Sequence, residues 1–155
     1  MSPQKRRVGP ASTAKVVLPS IAEVESDDLG LCTIPVERRC ILEKDEGLHI
    51  RPAMTVQILS NRLREDFHIV GWFGRDDVRK ASTIDITGLE SLGVQDREEV
   101  IVDLRGPNVF GIDRMNRLLD VYERLLKDSR SLEQIDALPY VKEAYAILGL
   151  PSLYE

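Results

Sequence analysis

Gly47-Leu48-His49-Ile50-Arg51-Pro52-Ala53 is the stretch on which the reading of this chain turns. Asp45-Glu46-Gly47, leading into it, is turn chemistry. Beyond it Ala53, Val56, Leu59 and Leu63 recur at helical spacing. Pro52 fits the first turn of that helix, where a missing N–H costs nothing. His49 therefore stands just ahead of a helix N-terminus, beside backbone N–H groups without intrahelical acceptors and the positive end of the helix dipole. Such a place attracts anions, phosphate above all. The same field disfavours a positive charge on the ring, which leaves a ring nitrogen free to act as a nucleophile. Arg51 can make charge-assisted bonds to a phosphoryl group held there. The plainer alternative is a histidine that caps the helix or simply sits in the turn.

Working outward, residues 39–44 form a short apolar run flanked by charge, a strand. Residues 67–73 are rich in β-formers, and Gly74-Arg75-Asp76-Asp77 supplies a turn before a second run at 78–82. A short helix is expected over 85–92, with Asp85 as its N-cap and Gly93 as its stop. Glu99-Val100-Ile101-Val102-Asp103-Leu104 is the clearest strand. Past Gly106-Pro107-Asn108, the residues Ile112, Met115, Leu119, Tyr122 and Leu126 mark a long amphipathic helix. The order strand-helix-strand-strand-helix-strand-helix makes an α+β open sandwich, with helices on one face of an antiparallel or mixed sheet. No internal repeat is present.

Composition narrows the function. The chain has 155 residues and a formal charge of −5, which argues against a nucleic-acid module with its basic face. No run approaches the roughly 18 apolar residues of a membrane span. Two cysteines, Cys32 and Cys40, fit neither a disulfide framework nor a four-ligand metal site. The two histidines, His49 and His68, are separated by a helix without a cysteine pair, so no metal is expected. His68 lies in an apolar run and reads as structural. Lys5, Arg6 and Arg7 are not followed by an unbroken apolar stretch, because Pro19 and then acids interrupt it, so no secretory signal is read. Residues 1–36 are expected to be a flexible leader of a cytoplasmic protein. The alternative is a docking segment using Val16, Val17, Leu18 and Ile21.

Residues 47–53 resemble the active-site signature of the histidine-containing phosphocarrier (HPr) family of the bacterial sugar phosphotransferase system. The element order is similar to that family's fold over about residues 38–127. The resemblance implies a four-stranded antiparallel sheet with three helices on one face in the order βαββαβα, occupying residues 37–128. It implies that His49 accepts a phosphoryl group from Enzyme I and passes it to a sugar-specific acceptor protein, with Arg51 stabilising the phosphoryl group. No cofactor is called for, and the protein is a relay rather than an independent enzyme. The family's regulatory serine aligns without gaps to Asp85, and with a gap to Ser82. An aspartate at 85 carries a fixed negative charge, still caps the helix and removes the site of a regulatory kinase. Ile50, Met54, Ile86 and Leu89 are the expected partner-docking residues, whereas Thr87 and Glu90 are polar where the family is usually apolar.

Residues 129–155 exceed the family domain. Leu132, Ile135 and Leu138 precede Pro139, and Val141, Ala144, Tyr145 and Leu148 return at helical spacing, so one or two helices are expected. Apolar residues occupy both phases of the strands, Val100, Val102 and Leu104 against Ile101, and Ile69 and Phe73 against Val70 and Trp72. Both sheet faces are therefore expected to be covered, the open one by the C-terminal helices or by a second copy of the chain. Two further functional readings stand beside the carrier. One is a regulatory binding module outside sugar transport, meeting a kinase or transcription regulator. The other is a hydrolase using His49, which lacks an identifiable orienting carboxylate.

Overall fold

The computed structural model describes residues 17–130 and 136–149. Its elements run in the order α1 (Ile21–Glu25), β1 (Thr33–Ile41), α2 (Ile50–Phe67), β2 (Val70–Gly74), β3 (Lys80–Ser82), α3 (Ile86–Ser91), β4 (Glu99–Pro107), a 3₁₀ turn (Asn108–Phe110), α4 (Gly111–Leu126) and α5 (Leu138–Leu148). From β1 to α4 this is the βαββαβα order read from the sequence. The sheet is four-stranded and antiparallel throughout, in the order β1-β4-β2-β3.

β4 sits inside the sheet, paired with β1 on one edge and β2 on the other, and buries Val100, Val102 and Leu104 on one phase and Ile101 on the other. Val100, Val102 and Leu104 enter the main core with Val36, Cys40 and Phe73 from the neighbouring strands. The helices supply Val56, Leu59 and Leu63 from α2, Leu89 from α3, and Met115, Leu118, Leu119 and Tyr122 from α4. Arg38 ties β1 to α4 through Asp120 at 2.5 Å and Glu123 at 3.2 Å.

The two extensions are placed differently from expectation. β1 begins at Thr33, so the expected leader of 1–36 gives way to strand four residues early, and Ile21–Glu25 is helical. The sequence carries the signal for α1, Ser20 followed by Glu23 three residues on. The Ser20 hydroxyl accepts from the Glu23 N–H and the Glu23 carboxylate accepts from the Ser20 N–H, a complete capping box. Asp27 then accepts from the N–H groups of Leu31 and Cys32 and from the Thr33 hydroxyl, which fixes the entry to β1. The flexible leader expected over residues 1–16 lies outside the described residues.

α5 does not cover the open sheet face. It lies against α4 and α2, with the Tyr145 ring edge-on to Phe67 at 4.8 Å and Glu143 paired with Arg124. The physical reason is in α4, which carries buried Val121 and Leu125 in addition to its sheet-facing Met115, Leu119 and Tyr122. The helical spacing read at Leu132 and Ile135 lies outside the described residues. On the sheet side it is α1 that approaches β4 and β2. Arg105 donates to the carbonyls of Val24 and Glu25, and Val70, paired with Arg105, is buried.

Candidate functional site

The turn before α2 is built from backbone constraints. The Gly47 N–H donates to the Lys44 carbonyl at 2.8 Å, closing the turn, and Gly47 adopts φ +76°. A side chain there would be strained by the left-handed backbone and would put a Cβ 2.5 Å from the Val94 carbonyl oxygen. That same carbonyl accepts the Leu48 N–H at 2.9 Å. Leu48, Pro52 and Ala53 are buried, so the turn is pinned on both sides of the half-buried His49.

His49 is the N-cap residue of α2, with extended backbone (φ −85°, ψ −170°), and its ring makes no capping hydrogen bond. Its carbonyl accepts from the Ala53 N–H at 3.0 Å. Pro52, the third residue of the helix, has no N–H to satisfy. The N–H groups of Ile50 and Arg51 remain, with no acceptor among the described residues. The Arg51 side chain is exposed and has no carboxylate partner among the described residues. One imidazole, two open N–H groups at a helix N-terminus and one guanidinium thus occupy consecutive residues. That set can bind an anion and offers it a nucleophilic nitrogen.

α3 lies alongside α2. Asp85 is its N-cap, accepting from the Gly88 N–H at 3.0 Å. Ser82 stands three residues earlier, at the end of β3; its hydroxyl accepts from the Ile84 N–H and its carbonyl from the Asp85 N–H. The helix-capping position is therefore held by Asp85. Arg75 fixes the far end of α3 by donating to the carbonyls of Leu92 and Gly93, 3.2 and 2.7 Å away.

Of the four expected docking residues, Ile50 is 51% and Met54 44% exposed. Ile86 is partly buried against the core. Leu89 is fully buried, so it belongs to the core and presents nothing to a partner. Ile58, 46% exposed, extends the α2 line by one turn. The same four-residue spacing that joins Ile50 to Met54 would have found it.

Solved structures similar to this chain include two HPr proteins. One is the phosphocarrier protein HPr from Bacillus anthracis str. Ames, at 20% identity over 59% of this chain and 96% of that one, with a TM-score of 0.48. The other is HPr-C-His from Thermoanaerobacter tengcongensis, at 24% identity over 61% of this chain and 99% of that one, with a TM-score of 0.44. No family model and no curated protein matches the chain.

The remaining chemistry-bearing residues are placed elsewhere. His68 caps the C-terminal end of α2 in the left-handed conformation, φ 56°, and its Nδ1 lies 2.7 Å from the Pro19 carbonyl. Cys40 is buried in β1, and burial pushes its thiol up to about 11. Cys32 is half-buried and also free. Among the described residues no three histidine, cysteine or carboxylate side chains gather as metal ligands, and no helix is long and apolar enough to cross a membrane.

Proposed function

We propose that the protein is a phosphocarrier, loaded and unloaded at His49. The observation that carries this reading is the N-cap position of His49, with the Ile50 and Arg51 N–H groups and the Arg51 guanidinium open beside it. In the loading step a ring nitrogen of His49 forms a bond to phosphorus as the donor's bond to phosphorus breaks, the donor keeping the electron pair. The N–H groups and the guanidinium offset the charge on the phosphoryl oxygens during transfer. Enzyme I is the donor, and a sugar-specific acceptor or a regulator is the recipient, met through Ile50, Met54 and Ile86. The protein is then the intermediate of the transfer rather than an enzyme, and it works in the cytoplasm without a cofactor.

Incubation with Enzyme I and phosphoenolpyruvate tests this. The expected product carries an acid-labile phosphoryl group that is absent in His49→Ala. Failure of a cognate Enzyme I to label the wild-type chain would overturn the carrier reading.

One observation favours a second reading. Asp85 places a permanent negative charge at the cap of α3, beside α2. A regulatory binding module needs no phosphoryl transfer, and that reading is kept if labelling fails while a regulator still binds the Ile50–Met54 face.

A further inference from the structure

A buried knot of polar groups holds the His49 turn in addition to its bond to Val94. Lys44 is only 4% exposed, and lysine is almost never that buried unless paired. Its ammonium donates to the Asp128 carbonyl at 2.5 Å, while its own carbonyl accepts the Gly47 N–H that closes the turn. One residue earlier, the Glu43 N–H donates to the Leu126 carbonyl at 2.9 Å. Leu126 ends α4 and Asp128 follows it, so the turn is fastened to the C-terminal end of α4. The Asp128 side chain is only 7% exposed. Its carboxylate accepts the hydroxyl of Tyr140, from α5, at 2.5 Å and the Arg130 Nε at 2.8 Å. Burial disfavours the charged form of Lys44, so an apolar side chain of similar length would fill the space at lower cost. What an apolar side chain cannot do is hold the turn in register with α4.

We propose that Lys44 is a positioning residue for His49, and that α5 completes the clamp through Tyr140 and Asp128. The inference rests on the reading of His49 as the phosphoryl acceptor. The connection runs from Tyr140 to Asp128, to the Lys44 ammonium, and through the Lys44–Gly47 turn to Leu48 and His49. With the Val94 bond and the Lys44 clamp both in place, the backbone that carries the imidazole is held relative to the open N–H groups of α2. Without the Lys44 side chain the turn keeps its backbone bonds to Val94 and Leu126 but loses its anchor at Asp128, and in-line transfer is sensitive to small displacements of the attacking atom.

The full chain is compared with Lys44→Met, Tyr140→Phe and the double variant, using two readouts. The first is acylation of His49 by diethyl pyrocarbonate relative to His68, an internal reference at the other end of α2. The second is the rate of phosphoryl uptake from phosphorylated Enzyme I. Lys44→Met is expected to change the acylation ratio about threefold and to slow uptake about tenfold. Tyr140→Phe changes both in the same direction by less, and the double variant matches Lys44→Met, because Tyr140 acts through Lys44. An unchanged ratio and uptake rate in Lys44→Met, with or without lower thermal stability, would overturn the proposal. Additive losses in the double variant would do the same. Should Lys44→Met not fold, an unchanged Tyr140→Phe decides against it. If the wild-type chain takes no phosphoryl group, the carrier reading fails, while the acylation ratio still tests the clamp.

Discussion

The Leu48 N–H donates to the Val94 carbonyl at 2.9 Å, and this bond ties the turn carrying His49 to the segment that leaves α3. Gly47 packs against the same oxygen, 2.5 Å from where a Cβ would stand, with φ at +76°. Gly47→Ala must therefore accept a left-handed backbone and also push the two segments apart. The expected cost is about 2 kcal/mol or more. Urea denaturation measures it, and a midpoint equal to wild type would show that the turn adapts without loss.

Arg51 separates function from stability. Its guanidinium is exposed and has no carboxylate partner among the described residues, so Arg51→Ala should alter stability by less than about 0.5 kcal/mol. Phosphoryl uptake at His49 should fall about 100-fold, because a positioned cation is lost from the transferring group. Arg51→Lys recovers only part of the rate, since an ammonium lacks the planar fork. Equal rates for Arg51→Ala and wild type would remove Arg51 from the site.

What the sequence made legible follows from where one-dimensional periodicity is forced by one-sided burial. α2 and α4 each bury a stripe against the sheet, so Val56, Leu59 and Leu63, and Met115, Leu119 and Tyr122, announce them. β1 spans Thr33–Ile41 rather than 39–44, and it includes Pro35. β1 is an edge strand, where a missing N–H is tolerated, and it pairs with β4 from Thr33 to Ile41. Leu89 turns into the core rather than outward, and a six-residue helix with apolar residues three apart does not say which one turns inward. The histidine turn was legible because its chemistry is local. Lys44 was not, since a lysine between charged neighbours reads as solvated and only the tertiary fold buries it against Asp128.

Asp85 tests the start of α3. Asp85→Ala removes the acceptor for the Gly88 N–H and should cost about 1 kcal/mol. Asp85→Ser keeps a capping oxygen, restores most of that stability and removes the fixed charge. If the charge governs partner choice, Asp85→Ser changes the affinity for a regulator or acceptor while its denaturation midpoint stays near wild type. Identical affinities for Asp85→Ser and wild type would reduce Asp85 to a cap.

The buried carboxylate of Asp128 sets an acid limit on the C-terminal clamp. The Arg130 guanidinium first, and then the Tyr140 hydroxyl and the Arg130 N–H, hold this carboxyl well below its ordinary 3.8, against the opposing effect of burial. A group whose folded value is depressed binds fewer protons in the folded chain than in the unfolded one. Its contribution is therefore fully present above the unfolded value of 3.8 and is lost as pH falls below it toward the folded value. Asp128→Asn should be less stable than wild type at neutral pH by about 2 kcal/mol, through loss of a charge-assisted network. The difference between the two should shrink as pH is lowered below 3.8, because only the wild type loses the carboxylate's contribution. Urea midpoints of both proteins from neutral pH downward give the two curves. Parallel curves would mean that Asp128 titrates alike in the folded and unfolded chains, and that the Tyr140 and Arg130 contacts do not hold its charge.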